Sequence, residues 1–409
     1  MRSPLPFTLA LLGALSLTLS SCASAPSAPP TPPLSAAGDH GAIAGAEEVA
    51  EPPLGLTSVD PDGRVSHLDL LDETVTAIGH VGDPRAVTTD GRYLFVETAA
   101  GVEVVDSGRW TWDHVDHFHY YRASPSIIGT LEGSGDAAVA TTNLSTSGST
   151  GVFFAASGEA VLLDTEALSK GEIVERFRLK VAPHDGLVVP VGSFALVTDG
   201  HASGADVVAG YTSSGEPTGL EEPCAEPAGT IATRVGAVIG CADGALLAQV
   251  IDDELHVERI PYPAGVDAPR ATRFDNREGR PTVAGLAGDR GIWMLDTRER
   301  TWRLLPSTEP VVSATAVDDD ADHLLALTQD GRVLVMDGAD GAVLGRTEPL
   351  VAASLTAGSL PALIADQHRA YLSGPVERML FEIDFADGGR IARTFDTSTE
   401  PAFVAETGR

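Results

Sequence analysis

Pro84-Arg85-Ala86-Val87-Thr88-Thr89-Asp90-Gly91, then Tyr93-Leu94-Phe95-Val96, then Gly101-Val102-Glu103-Val104-Val105-Asp106, is the stretch that decides the fold. It reads strand, turn, strand, turn, strand: short β-branched and apolar runs are separated by Asp-Gly-type turn residues. A fourth strand is expected near Trp110-Thr111-Trp112. The same order returns from His184, with Leu187-Val188-Val189-Pro190, Phe194-Ala195-Leu196-Val197-Thr198 and Val207-Val208-Ala209-Gly210-Tyr211. It returns from Ala228 and again near Ser313, where the third run ends in Val335-Met336-Asp337. Further copies are expected to start near Ser124, Ala271 and Leu360.

No helical periodicity of useful length interrupts the pattern. Units of roughly 45 residues with four strands are propeller blades, and one blade cannot bury both its faces alone. The end Glu400-Pro401-Ala402-Phe403-Val404-Ala405-Glu406-Thr407-Gly408 looks like another innermost strand with no blade after it. Leu54–Val59, Arg64–Leu68 and Thr74–Ile78 look like three outer strands with no inner one. Joining the two ends closes a ring and removes open sheet edges. The expectation is an all-β protein, a β-propeller of eight four-stranded blades, or of seven if one long blade has been divided in two.

The start of the chain bears on its compartment. Arg2 precedes an apolar run from Leu5 to Leu19, too short and too early for an ordinary membrane span. The run ends in Leu19-Ser20-Ser21-Cys22-Ala23, a lipoprotein cleavage box. Residues 1–21 are therefore expected to be a signal peptide, and Cys22 the lipidated residue that anchors the chain to the outer face of the cell membrane. Residues 22–50 are rich in Ala, Pro, Ser and Gly and read as a flexible linker. Residues 51–409 form the propeller body.

Of 3 cysteines, two remain beyond Cys22. In an oxidising compartment Cys224 and Cys241 are expected to form a disulfide, with a pair of soft metal ligands as the alternative. They belong to neighbouring blades, so a bond would cross-link the two. The formal net charge of −31 argues against nucleic acid, which needs a basic patch. The membrane is expected to be met only through the lipid, and the body to be monomeric.

In a propeller, the connections from each fourth strand to the next first strand converge on one face. Read in that frame, three successive connections carry histidine. The first holds His80 and Asp83; the second runs Trp112-Asp113-His114-Val115-Asp116-His117-Phe118-His119-Tyr120-Tyr121-Arg122; the third holds His184-Asp185-Gly186. In an extended segment, side chains at i and i+2 point the same way. His117 and His119 thus suit one cation, with His184 as a third ligand and Asp116 or His80 as a fourth, or with Asp116 orienting a ring. Three imidazoles with a carboxylate or water is a zinc-like set, although copper and nickel also accept imidazole.

The run Asp113–Arg122, with Pro183-His184-Asp185-Gly186-Leu187-Val188 and Ile239-Gly240-Cys241-Ala242-Asp243-Gly244, resembles the AztD-type zinc metallochaperones. These are exported propellers that pass zinc to the solute-binding protein of a zinc ABC importer. The resemblance covers the whole body and implies that His117, His119 and His184 hold zinc. Family members often carry a His-rich N-terminal segment, whereas residues 23–50 here offer only His40. Two other functions compete with a zinc carrier. One is a metal-dependent propeller hydrolase of lactonase type, although the chain has no Gly-x-Ser-x-Gly elbow and no His-Glu-x-x-His helix. The other is a protein-binding scaffold without a metal role.

Overall fold

The computed structural model describes residues 41–113, 117–201 and 204–409. The expected signal peptide, the lipidation at Cys22 and most of the expected linker lie outside the described residues. So do His114, Val115 and Asp116. No helix among the described residues is long and apolar enough to cross a membrane.

The protein is all-β, built mainly from four-stranded antiparallel sheets, an arrangement consistent with a β-propeller. The sheet quoted first above comprises Ala86–Thr89, Tyr93–Thr98, Gly101–Asp106 and Ser126–Glu132. Later sheets are complete at 137–180, 188–223, 230–261, 311–346 and 363–396. Near 271 the innermost strand shrinks to a bridge between Asp275 and Ala284, beside the three strands Thr282–Leu286, Ile292–Asp296 and Thr301–Leu305. Phe403–Thr407 pairs with Gly55–Val59, and Arg64–Asp69 and Val75–His80 follow, so the two ends of the body share one sheet as expected.

The strands are apolar on both faces because each sheet is covered by a neighbour on either side. Leu94, Val96 and Val105 pack on Val59 and Val65 of the sheet before, while Tyr93, Phe95 and Val104 pack on Val152, Phe154 and Val161 of the sheet after. Leu56 and Leu68, from the sheet that joins the two ends, pack with Tyr371, Leu380 and Phe395 of the last sheet.

A short acidic side chain recurs where the third strand turns toward the fourth. Asp69, Asp106, Asp164, Asp296 and Asp337 each end a third strand and accept a backbone N–H two residues on. This Asx-type bond satisfies an amide that the sheet leaves behind and fixes the turn. Part of the negative charge is thus structural. Cys224, after the outer strand Pro217–Pro223, is bonded to Cys241, which ends the second strand of the next sheet. The expected cross-link between neighbouring units is present.

The structure corrects two expectations. Trp110–Trp112 is not a fourth strand, and no new unit starts near Ser124. Ser126–Glu132 pairs with Gly101–Asp106 and is itself the fourth strand. Arg109–Asp113 and Phe118–Arg122 form a hairpin inserted before it. An aromatic insertion and a blade strand have the same local pattern, so alternation alone could not separate them. Secondly, Glu47–Val49, assigned above to the linker, pairs with Phe118–Arg122 and completes a small three-stranded sheet.

A candidate histidine pair on an inserted hairpin

The hairpin is rooted by one buried cation. The Arg92 guanidinium has no exposed surface and forms a fork on Asp106, with Nε to Oδ1 at 3.0 Å and Nη2 to Oδ2 at 2.7 Å. It lies 3.9 Å from the ring centre of Trp110 and 4.8 Å from that of Tyr93. A planar cation between an aromatic face and a carboxylate is held rigidly. Trp110 in turn stacks on Tyr121 at 5.3 Å. Thr111 donates its N–H to the Arg409 carbonyl at 2.9 Å and its hydroxyl to the Gly408 carbonyl at 2.8 Å.

Those contacts say which end of the sheets the hairpin occupies. Gly408 follows an innermost strand, so the hairpin sits where first strands turn to second strands and third to fourth. His80 ends a fourth strand, and His184 lies between the fourth strand Glu175–Lys180 and the first strand Val188–Val191. Both belong to the opposite ends of the strands. The run 113–122 is therefore not a fourth-to-first connection, and the described residues do not bring His80 or His184 beside it. His80 is exposed at the end of its strand. His184 has both ring nitrogens engaged: Nδ1 donates to the Ala182 carbonyl at 2.7 Å, and the Thr198 hydroxyl lies 2.9 Å from Nε2. Its ring meets the edge of Phe153 at 4.7 Å. In the described geometry it pins a turn.

His117 and His119 do come together. Their Nε2 atoms lie 2.9 Å apart, with ring centres at 4.7 Å. The i, i+2 spacing in extended chain puts both rings on one side. His119 faces Trp112 across the hairpin, with ring centres 5.9 Å apart, and stacks on Tyr121 at 6.3 Å. Phe118, between the two histidines, points away and is 55 % exposed.

Sequence reasoning missed Glu48. Its Oε1 lies 2.7 Å from His119 Nδ1. A carboxylate only accepts, so Nδ1 of His119 carries a proton, and in the neutral ring this leaves Nε2 as the acceptor turned toward His117. Neighbouring Glu47 pairs with Arg122 at 3.2 Å. The only local signal was a Glu-Glu-Val step at the end of a Pro- and Ala-rich run, which says nothing about pairing with a strand some seventy residues away.

Two imidazole nitrogens facing one another across a hydrogen-bond distance suit a borderline-soft divalent cation. Tetrahedral zinc, with Zn–N of about 2.05 Å, needs its ligand nitrogens about 3.3 Å apart, so the rings must part by about 0.4 Å. Glu48 is on the far side of the His119 ring and does not face the same point. Among the described residues no group of three or more His, Cys, Asp or Glu side chains is arranged to hold a metal ion.

No protein-family model and no curated protein sequence matches the chain. Among solved structures it is similar to apo AztD from Citrobacter koseri, with a TM-score of 0.73 and 19% identity over 87% of this chain and 98% of that one. A second AztD structure from Citrobacter koseri gives a TM-score of 0.75 and 18% identity over the same shares. The fold is of the AztD type.

Proposed function

We propose that this chain is an extracytoplasmic zinc carrier that hands its ion, by ligand exchange, to the solute-binding protein of a zinc ABC importer. The observation that carries the reading is the paired Nε2 atoms of His117 and His119 at 2.9 Å, on a hairpin inserted between two strands of one sheet. The AztD-type fold supports it, as does the sequence resemblance to zinc metallochaperones. The disulfide and the signal-like start support export, with Cys22 as the lipid anchor. The body is read as eight blades, closed where Phe403–Thr407 meets Gly55–Val59; the shared cores of successive sheets support that count.

Chemically, the two imidazoles would supply part of a tetrahedral set. Asp116, which adjoins His117 in the chain, is the next candidate donor. A site completed by water or by an incoming ligand suits transfer, because a partner's imidazole can enter before the first histidine leaves. No bond is made or broken on carbon or phosphorus, so the proposed role is not enzymatic.

Zinc titration of the metal-stripped mature protein tests this, beside a His117→Ala/His119→Ala double variant. The expected result is tight binding near one equivalent, weakened more than about 100-fold in a variant that keeps its fold. Binding untouched by the double change would overturn the site. A positive result leads to a transfer assay against a zinc-importer solute-binding protein.

A further inference from the structure

We propose that Glu48 is the positioning carboxylate of the histidine pair, so that zinc retention depends on the N-terminal strand being docked on the hairpin. The inference rests on the cation site proposed above and adds a residue and a form of control to it.

The first support is register. Glu48 stands opposite Tyr121, two residues along the strand from His119, so Tyr121 and His119 share a side of their strand. Glu48 and His119 are therefore diagonal neighbours on one face, within reach of a long side chain. The second is chemistry. Accepting from Nδ1 fixes the His119 tautomer and ring angle and makes Nε2 a better donor to a cation; metal-bound histidines are commonly held this way. Glu48 acts through His119, since it lies across the ring from His117.

The third support is how the strand is held. Glu47–Val49 has only three residues and occupies the edge of its sheet. Among the described residues its contacts include the ladder pairing with Phe118–Arg122, the exposed Glu47–Arg122 ion pair, which adds little, and Gly41, whose carbonyl accepts from Trp110 Nε1 at 3.1 Å. Gly41 has φ +73°, and a Cβ there would lie 2.5 Å from Trp112 Cγ, so the chain lies directly on the indole. So short an edge strand is weakly held. Lifting it removes the Glu48 carboxylate while both histidines stay on the hairpin.

The experiment is chelator competition for zinc on the full mature protein, comparing Glu48→Ala, Glu48→Gln and Glu47→Gln with the His117→Ala/His119→Ala double variant. Imidazole 15N shifts of the metal-free wild type and Glu48→Ala accompany it. Glu48→Ala is expected to weaken zinc 10–100-fold, in the range typical of lost outer-shell partners. Glu47→Gln should leave affinity within about twofold, because an exposed ion pair holds little. The 15N shifts should show His119 protonated at Nδ1 in the wild type and released from that tautomer in Glu48→Ala. Unchanged affinity in Glu48→Ala, with binding lost in the double histidine variant, overturns this inference alone. Unchanged affinity in both overturns the site itself. An equal loss in Glu47→Gln, with no tautomer change in Glu48→Ala, assigns the effect to the strand and overturns the positioning role.

Discussion

His67 is the side chain with the clearest acid liability outside the hairpin. It is 1 % exposed, its Nδ1 is 3.0 Å from the Thr57 hydroxyl, and its Nε2 has no hydrogen-bond partner among the described residues. Burial, helped by the Arg109 charge, pushes its pKa down to about 4. The unfolded chain takes up the proton near pH 6.5, so the neutral ring's contribution is present above that pH and lost as pH falls toward 4. The full loss is about 3 kcal/mol. Asp90 works the other way: burial raises its pKa to about 7, so its contribution is present at low pH and lost as pH rises through 7. The two partly mask each other in the wild type. Urea unfolding at pH 7 and pH 4.5 should therefore be compared with His67→Gln, in which the acid-side loss shrinks. An unchanged slope with pH would show that His67 is not the sensor.

Arg92 is the second residue whose replacement should be costly. Lysine keeps the charge but loses the fork on Asp106 and the stacking on Trp110. Arg92→Lys is expected to lower the unfolding free energy by about 2 kcal/mol, the order of a lost hydrogen bond to a charged group. Because Trp110 roots the hairpin, zinc affinity should fall with it. Denaturant unfolding and zinc titration of the one variant check both effects. Retained affinity in a destabilised protein would mean that the hairpin is held by its other contacts.

Among the elements, the hairpin and the disulfide behave as separate devices. The hairpin interrupts one unit between its third and fourth strands, which still pair along Gly101–Asp106 and Ser126–Glu132 with one bulge at Ile127–Gly129. The disulfide fastens the outer end of one sheet to the second strand of the next across a sequence separation of 17. A loop of that size restrains the unfolded chain by about 3 kcal/mol. Reduction, or a Cys224→Ser/Cys241→Ser double change, should lower the unfolding free energy by about that much and leave zinc binding intact, since neither cysteine belongs to the hairpin. Zinc loss on reduction at a pH and temperature where the fold survives would couple the two and count against the proposed site.

Across the whole molecule, stability is shared between sheets rather than held within any one of them. Each core cluster draws side chains from neighbouring sheets, and the sheet holding both ends packs on the last sheet through Leu56, Leu68, Tyr371, Leu380 and Phe395. A fold of this kind can host many functions, which are decided by the sites it carries. The same architecture at 18–19% identity to AztD shows how little sequence the fold demands beyond pattern and turns.

The repeat and the proximity of His117 to His119 were legible in the sequence because each depends on local rules; the joining of the two ends and the cysteine pairing were legible by complement, from an inner strand and three outer strands each lacking the other and from the two cysteines left beyond Cys22. Period-two alternation marks strands, Asp and Gly mark turns, and an i, i+2 spacing in extended chain puts two rings on one side. Where the histidine-rich run sits was not legible. Trp110–Trp112 has the pattern of a blade strand, and only the pairing of Ser126–Glu132 with Gly101–Asp106 makes it an insertion at the other end of the sheet from His80 and His184. Glu48 was invisible for the same reason. A carboxylate in a Pro-rich run acquires its role from a strand pairing across some seventy residues, and strand partners are chosen by the assembled surface, not by the segment itself.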